Sequence, residues 1–306
     1  MATATATAPA AKTPTNAPAG AGTDTAARVQ DAVKKVTAIA TLPEVTAQII
    51  KTVEDPKSSA QQLNKIVSYD PALVTRILKV VNSSFYGLPG QIASIERAIP
   101  LLGLNAVKNI AVAASIGQMF RGVKLCEGFT AKDLWKHCIA VGVVARELAK
   151  QMKLPLADEA FLAGMIHDVG MLVSLQNTPE QVRAVCEKAR TSGGDFCELE
   201  RAAMNGIDHQ MLGEGLAEMW KFPKSCQVVA GHHHRPHVIA DQHRMLLSLV
   251  FVADTLCCQG NQGFNLTAIH QKLDDVGLAD LKIDAALIER TRANLAQLVQ
   301  TASPLV

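Results

Sequence analysis

The chain of 306 residues contains few aromatic and few charged side chains. Aromatic residues make up 4% of it and charged residues 19%, whereas ordinary soluble domains are about a quarter charged. Lysine and arginine together number 30 against 28 aspartates and glutamates, which gives a formal net charge of +2. Such a balance provides no general attraction to nucleic acid, so we predict no nucleic-acid partner.

Long apolar runs are missing as well. The longest, Met245 to Ala253, is interrupted by Ser248 and falls short of the ~18 residues that cross a bilayer. The N-terminus lacks the basic start and apolar segment of a secretory signal. The seven cysteines are odd in number and none belongs to a CxxC motif, which argues against a zinc ribbon and favours a reducing compartment. We therefore predict a cytoplasmic protein without a membrane partner.

Helical periodicity runs through nearly all of the chain after its first 27 residues. Residues 1–27 are almost entirely Ala, Thr, Pro and Gly, a composition that buries little apolar surface, and we predict a disordered tail there. From Arg28 onward apolar residues recur at helical spacing, and no sustained alternation predicts a strand. The predicted fold class is therefore all-α.

Local signals place several of the helices and one aromatic loop. Thr130 and Asp133 have the spacing of a capping box, which predicts the start of a long amphipathic helix. The loop Phe85–Pro89 is predicted either to pack at a joint between helical parts or to offer a surface to a partner. Further helices are predicted at about 158–175, 179–191, 195–204, 208–220, 224–231, 241–258 and 284–302.

Histidine is absent from the first 136 residues, and all nine histidines lie in the remainder of the chain. Two stretches there predict helices that are apolar on all sides and therefore buried. One of them, residues 160–175, carries His167 and Asp168, and the other, residues 245–258, carries Asp254. A buried ionised carboxylate is unfavourable by several kcal/mol unless it is paired or bound to a metal.

Four more histidines can face the same interior. His137 lies toward the apolar side of its predicted helix, His209 shares a helical face with leucines, and His233 and His234 follow a short apolar turn. Imidazole and carboxylate ligands together suit Zn, Fe, Mn or Ni. We predict that a divalent metal is held by some or all of seven residues: His137, His167, Asp168, His209, His233, His234 and Asp254.

Simpler interpretations of these residues stay open. Each histidine taken singly could be a core residue with a satisfied hydrogen bond. Asp168 could cap a neighbouring helix or pair with an arginine, and the run 232–234 could be a solvated loop. Of the remaining histidines, His237, His243 and His270 give no reason to be placed in a site.

The order of motifs resembles the HDOD family, the HD-related output domains of bacterial signalling proteins, within the HD superfamily of metal-dependent phosphohydrolases. The resemblance covers about residues 38–237. It implies an N-terminal helical subdomain, here 28–125, packed against an HD-like helical bundle, here 126–306 with a C-terminal extension. The stretches that carry it, in family order, are LPEVTAQIIKTVEDP, IVSYDPALVTRILKVVNSSFYGLP, SIERAIPLLGLNAVKNIAV, LWKHCIAVGVVARELA, AFLAGMIHDVGMLV, GIDHQMLGEGLAEMWKFP and GHHHRP.

This resemblance also implies roles for the candidate residues. His137, the His167-Asp168 pair and Asp254 match metal-ligand positions of the HD superfamily. The other three histidines of the set resemble the extra histidines of the related HD-GYP cyclic-di-GMP phosphodiesterases.

The chain departs from those phosphodiesterases at two places. Met171 stands where they usually have lysine, and Arg235-Pro236 stands in place of the GYP motif. A lysine that neutralises phosphate charge is thereby lost, which weakens the expectation of cyclic-di-GMP cleavage. No catalytic residue is predicted.

The resemblance implies a regulatory module of bacterial signal transduction, linked to two-component or cyclic-di-GMP signalling. We expect it to act without catalysis, through contacts with a histidine kinase, a response regulator or a diguanylate cyclase. The first alternative is a metal-dependent phosphohydrolase that acts on a nucleotide. The second is a module that binds a nucleotide ligand without turning it over.

Overall fold

The computed structural model describes residues 21–36, 43–53, 55–120, 124–239, 242–273, 278 and 281–305. Within these ranges the regular elements are helices apart from one two-stranded hairpin, so the predicted all-α class is confirmed. None of the helices described is both long and apolar enough to cross a membrane.

Short helices form the N-terminal half. Side chains cap them as the sequence indicates: the Asp70 carboxylate accepts a hydrogen bond from the backbone N–H of Leu73 (2.9 Å), and Ser94 caps the next helix. In chain order the helices are α1 (Ala21–Lys35), α2 (Glu44–Val53), α3 (Ala60–Ser68), α4 (Pro71–Val81), α5 (Ile95–Leu102) and α6 (Leu104–Ile116), followed by a 3-10 turn at Gly117–Phe120.

The second half begins with an antiparallel hairpin, β1 (Lys124–Cys126) and β2 (Phe129–Thr130). Thr130 and Asp133 form the predicted capping box. The helices that follow are α7 (Ala131–Gln151), α8 (Ala157–Ile166), α9 (Gly170–Asn177), α10 (Pro179–Ser192), α11 (Phe196–Ala203), α12 (His209–Met219), α13 (Lys224–His232), α14 (Arg244–Gln259) and α15 (Ala285–Thr301). The long α7 packs against α8, α14 and α15, and is the central helix of this half.

The prediction of one continuous helix over 158–175 is wrong. The chain forms α8 and α9, separated by a turn at residues 167–169. In that turn the backbone N–H groups of Val169 and Met171 donate to the carbonyl oxygens three residues earlier, at 3.0 Å each. This tighter 3-10 pattern interrupts the α-helix. As a result, the side chains of His167 and Asp168 lie at the interior of the bundle.

The prediction that residues 1–27 are a disordered tail is wrong for residues 21–27, where α1 has already begun. Alanine is the strongest helix former, and Asp24 lies in the first turn, where a carboxylate is favourable. Val29 and Val33 then pack on Gly215 of α12. Residues 1–20 lie outside the described part of the chain.

The aromatic loop packs at the joint between the two halves. Its Phe85 ring lies 5.6 Å from the ring of Phe161 on α8. The Arg146 guanidinium of α7 stands 4.8 Å from the Phe85 ring and 5.1 Å from the Tyr86 ring, and pairs with Asp158 at 3.5 Å. The first of the two predicted roles for this loop, packing at a joint, therefore fits the structure.

Candidate metal centre

All seven predicted metal ligands converge on one interior of the second half. His137 comes from α7, His167 and Asp168 from the turn between α8 and α9, and His209 from the first residue of α12. The end of α13 supplies His233 and His234, and α14 supplies Asp254. Six of the seven residues are fully buried, and the His234 side chain is only 5% exposed.

Three of these residues, together with one oxygen of Asp168, form a first group. His137 Nε2 lies 3.1 Å from Asp254 Oδ1 and 3.7 Å from Asp168 Oδ2. His167 Nε2 lies 3.3 Å from Asp168 Oδ2 and 3.8 Å from Asp254 Oδ1. Two imidazole nitrogens and two carboxylate oxygens thus surround one point.

The other oxygen of Asp168 faces a second group, which consists of histidines alone. Asp168 Oδ1 lies 3.3 Å from Nε2 of His209 and 3.3 Å from Nε2 of His233. His209 Nε2 is in turn 3.3 Å from His233 Nε2 and 3.2 Å from His234 Nε2. The Asp168 carboxylate therefore lies between the two groups and presents one oxygen to each.

Hydrogen bonds orient four of the five imidazoles so that Nε2 points inward. The Nδ1 atom of His167 lies 2.6 Å from the Gly164 carbonyl oxygen, and that of His233 lies 3.2 Å from the Val229 carbonyl oxygen. The His209 and His234 Nδ1 atoms lie 2.5 Å from a Glu200 oxygen and 2.8 Å from a Gln271 oxygen. Each oxygen accepts the Nδ1 proton and leaves Nε2 as the nitrogen that can bind an ion, as metal-ligating histidines require.

The inward atoms fit a metal. Among the residues that the structure describes, His137 Nε2, His167 Nε2 and both oxygens of Asp168 are buried without a hydrogen bond, although buried polar atoms in proteins nearly always have one. In the second group, three imidazole nitrogens that would each carry a lone pair face one another. A divalent cation would satisfy both sets, and the mixed nitrogen and oxygen donors suit Zn, Fe, Mn or Ni.

The ionisation states of His233, His234 and Asp168 also suit metal binding. Burial lowers the pKa of His233 to about 4 and that of His234 to about 3, so both imidazoles are neutral at pH 7. Burial opposes the ionisation of Asp168, but His167 and the other imidazoles hold its pKa well below the usual range. Metal ligands must be deprotonated, and these three are.

His209 differs from those two histidines. Burial by itself lowers its pKa, but the carboxylates of Glu200 and Asp168 outweigh burial and raise the pKa to about 9. The Glu200 pKa is raised, because burial penalises its charge more than His209 compensates.

Glycines allow the helices of the centre to approach closely. A Cβ atom at Gly164 of α8 would stand 2.9 Å from the Cα of Gly142 on α7, so these two backbones touch. In the loop that follows α14, Gly263 has φ +83°, and a Cβ atom there would lie 2.6 Å from the backbone nitrogen of His137. Glycine is required at these contacts because any side chain would push apart the elements that carry the ligands.

Sequence reasoning missed three residues that hold the ligands in place. Glu200 contacts His209, Gln271 contacts His234 from the side, and the Gln210 amide oxygen accepts a hydrogen bond from the His234 backbone N–H at 3.1 Å. Only Glu200 had a detectable signal, because it follows the buried Phe196 by four residues and therefore shares its helical face.

A pocket of about 440 Å³ opens beside the second group. His234 lies in its wall together with Phe196 and Phe251, and Lys272 and His270 belong to its lining. The pocket connects one member of the centre with solvent. Of the four histidines left out of the predicted site, His270 is thus near the centre, but it lines this pocket and does not join either group of ligands.

The HDOD domain family matches residues 39–236 of the 306. The chain belongs to the HDOD family. This agrees with the motifs in the sequence, and the match ends just after the two histidines at the end of α13, so Asp254 of α14 lies beyond it.

Solved structures share this fold at low sequence identity. An HDOD domain protein of unknown function from Geobacter sulfurreducens has a TM-score of 0.77 at 19% identity, covering 92% of this chain and 99% of that one. A candidate phosphohydrolase from Shewanella amazonensis has a TM-score of 0.72 at 22% identity, covering 92% and 98%. A candidate signal transduction protein from Marinobacter aquaeolei has a TM-score of 0.72 at 21% identity, covering 92% and 66%.

One curated relative is an uncharacterised protein of Treponema pallidum. It is 26% identical over 234 residues, which are 76% of this chain and 44% of that protein. The chain therefore spans less than half the length of this relative.

Proposed function

We propose that this HDOD protein is a metal-binding regulatory module of bacterial signal transduction. The observation that carries the metal binding is the shared carboxylate of Asp168, with one oxygen toward each of two groups of buried imidazoles. The signalling role is supported by membership of the family and by the likeness to the signal transduction protein of Marinobacter aquaeolei.

Two ions would occupy the centre. His137, His167, Asp254 and Asp168 Oδ2 would hold the first ion, and the Nε2 atoms of the other three histidines with Asp168 Oδ1 would hold the second. When bound, such ions activate water and polarise a phosphoryl oxygen. The residues themselves orient the ligand nitrogens and keep bulk water out, since nearly all of them are buried.

A regulatory role without catalysis is supported by the presence of Met171 next to the centre in the chain. This side chain is fully buried in α9, at the position where the related phosphodiesterases usually have lysine. It brings no positive charge that would neutralise a phosphate in the transition state. The centre can therefore bind ions and still lack part of the machinery for phosphodiester cleavage.

The joint between the halves gives the centre a route to a partner surface. Asn109 of α6 donates from Nδ2 to the Asp158 carbonyl oxygen at 2.7 Å, and α8, which begins beside Asp158, ends at His167. We propose that occupancy of the centre changes how the N-terminal half contacts a histidine kinase, a response regulator or a diguanylate cyclase.

A second candidate function is a metal-dependent phosphohydrolase that acts on a nucleotide. The pocket beside His234 favours it, because its lining combines two phenylalanines with Lys272, and an apolar wall with a cation suits a base and a phosphate. The likeness to the Shewanella amazonensis phosphohydrolase is consistent with it. Binding of a nucleotide in this pocket without turnover is the third candidate.

Metal analysis and assays on the same preparation distinguish these functions. We expect anaerobically purified protein to contain two ions per chain, to lose the first of them in His167→Ala and to lose both in Asp168→Ala. With Mn²⁺ or Fe²⁺ added, we expect no hydrolysis of cyclic di-GMP or other nucleotides. Hydrolysis that both variants abolish would support the phosphohydrolase instead, and saturable nucleotide binding without hydrolysis would support the sensor.

The signalling role needs its own measurement. We expect crosslinking in cells to recover a kinase, response regulator or cyclase with the wild-type protein, and less of it with His167→Ala. Recovery of none of these classes would count against the regulatory module. Purified wild-type protein that contains no metal, together with a signalling output that is unchanged in both variants, would remove the metal from the proposal.

A further inference from the structure

Glu200 is a buried carboxylate next to the centre that neither proposed ion uses. It lies on α11, is 1% exposed, and its Oε2 atom accepts two hydrogen bonds from one residue. These come from the backbone N–H of His209 at 3.0 Å and from His209 Nδ1, which lies 2.5 Å away. A buried carboxylate is costly, so its presence beside a single histidine calls for a reason.

The two contacts together fix both the position and the tautomer of His209. The backbone contact holds the first residue of α12 against α11. The Nδ1 contact keeps a proton on Nδ1, so Nε2 is the nitrogen that gives up its proton when an ion binds. Nε2 is the atom that lies 3.3 Å from Asp168 Oδ1. A carboxylate behind a histidine also makes the imidazole a stronger metal ligand.

No histidine of the first group has such a carboxylate behind it. His167 Nδ1 contacts a backbone carbonyl oxygen, and His137 Nδ1 is buried without a partner. In the second group, His233 also contacts a carbonyl oxygen. His234 Nδ1 contacts the Gln271 amide oxygen at 2.8 Å, with an Asp254 oxygen farther away at 3.5 Å. Glu200 thus acts on one ligand of the second ion and on none of the first.

We infer that Glu200 is a positioning residue for the second ion, which it controls through His209. The inference rests on the proposed two-ion centre and deepens it: occupancy of the second site depends on Glu200, whereas occupancy of the first does not.

A competing interpretation makes Glu200 a ligand itself. Cys197, Glu200 and His209 bring one ligand atom each within 4.8 Å of one another, and Glu200 Oε1 lacks a hydrogen bond. An ion there would need the Nδ1 atom of His209 that Glu200 already engages. Under this interpretation the chain holds a third ion, and Cys197 is needed for it.

The test uses the full chain, equilibrium dialysis against graded Mn²⁺, and metal analysis of each sample. The variants are Glu200→Gln, which keeps the shape, and Glu200→Ala. The matched control is Glu198→Gln, since Glu198 lies on the same helix with 71% of its side chain exposed. A fourth variant, Cys197→Ser, tests the competing interpretation, and thermal melting checks that each variant is folded.

We expect the wild type and Glu198→Gln to bind two ions. In Glu200→Gln the dissociation constant of the second ion should rise about 10- to 100-fold, the usual loss for a residue that orients a ligand, and that of the first should not change. Glu200→Ala should weaken the binding of the second ion further than Glu200→Gln does. Cys197→Ser should bind two ions, as the wild type does.

Other outcomes overturn the inference and separate it from the proposed function. Two ions bound equally well by the wild type and Glu200→Gln would overturn the role of Glu200 alone. Three ions in the wild type and two in Cys197→Ser would make Glu200 a ligand. Wild-type protein that binds one ion or none would overturn the two-ion centre and, with it, this inference.

Discussion

Gly170 and His209 are in direct backbone contact: a Cβ atom at position 170 would stand 1.9 Å from the His209 carbonyl oxygen. The contact joins the start of α9 to the start of α12. Asp168 lies two residues before Gly170, and it faces His209 across the centre at 3.3 Å. The glycine thus sets how closely these two ligands approach.

We predict that Gly170→Ala destabilises the protein and lowers its affinity for the second ion. The added methyl group forces α12 away from α9, and such overpacking is destabilising by about 1–3 kcal/mol. Denaturant unfolding and Mn²⁺ dialysis measure the two effects. The control is Gly213→Ala on the facing helix, where the nearest atoms to a new Cβ are 3.3 Å away or more. Equal effects of the two variants would contradict the prediction.

Asp168→Asn and Asp254→Asn should differ in the number of ions that they lose. Asp168 presents an oxygen to each group of ligands. The Asp168→Asn variant should therefore bind neither ion at micromolar metal concentrations. Asp254 contacts the first group through Oδ1, and its Oδ2 approaches the second group only at His234 Nδ1, 3.5 Å away on the side opposite Nε2. The Asp254→Asn variant should therefore lose the first ion and keep the second. Asp31→Asn on the exposed face of α1 is the control. Two ions retained in Asp168→Asn would refute the shared carboxylate.

Metal should stabilise the fold, and a chelator should reverse the effect. A ligand that binds only the native state at 100 times its dissociation constant adds about 2.7 kcal/mol. We therefore expect Mn²⁺ or Zn²⁺ to raise Tm by several degrees and EDTA to return it to the metal-free value. Mg²⁺, which prefers oxygen ligands, should have no effect on Tm. A wild-type Tm that does not respond to Mn²⁺ or Zn²⁺ would contradict the metal site.

Arg146→Lys should loosen the joint between the halves without changing metal uptake. The planar guanidinium lies over Phe85 and Tyr86 and pairs with Asp158, and an ammonium group cannot do both. We expect a loss of about 1–2 kcal/mol in unfolding free energy. The control is Lys136→Arg at an exposed position of α7. A loss of metal in Arg146→Lys would show that the joint also shapes the centre.

The site residues could be predicted because each is polar in an otherwise apolar helix. The polar atoms of such a residue need a partner from outside their own helix, so the sequence alone indicates that Asp168 and Asp254 face a common interior. The break at residues 167–169 could not be predicted, because local hydrophobicity is the same in one buried helix and in two. The role of Glu200 could not be predicted, because the rest of α11 has an ordinary amphipathic pattern. That role depends on a contact with His209, nine residues later in the chain.

The close helix contacts were also beyond sequence reasoning. Gly170 and Gly164 lie in apolar stretches of the sequence. Their need for glycine follows from the position of the facing backbone, which the sequence does not show. The start of α1 at Ala21 was missed because composition alone does not show that Val29 and Val33 find a surface on α12.

The position of α1 changes how the protein can be divided. This first helix lies on α9 and α12, and the Asn177 side chain at the end of α9 donates to the Ala32 carbonyl oxygen at 2.8 Å. Helices α2 to α6 are therefore, in topological terms, an insertion between two parts of the bundle that surrounds the centre. A fragment that starts at residue 126 would lack a helix of its own layer, whereas residues 21–36 joined to residues 124–305 by a short linker would restore it.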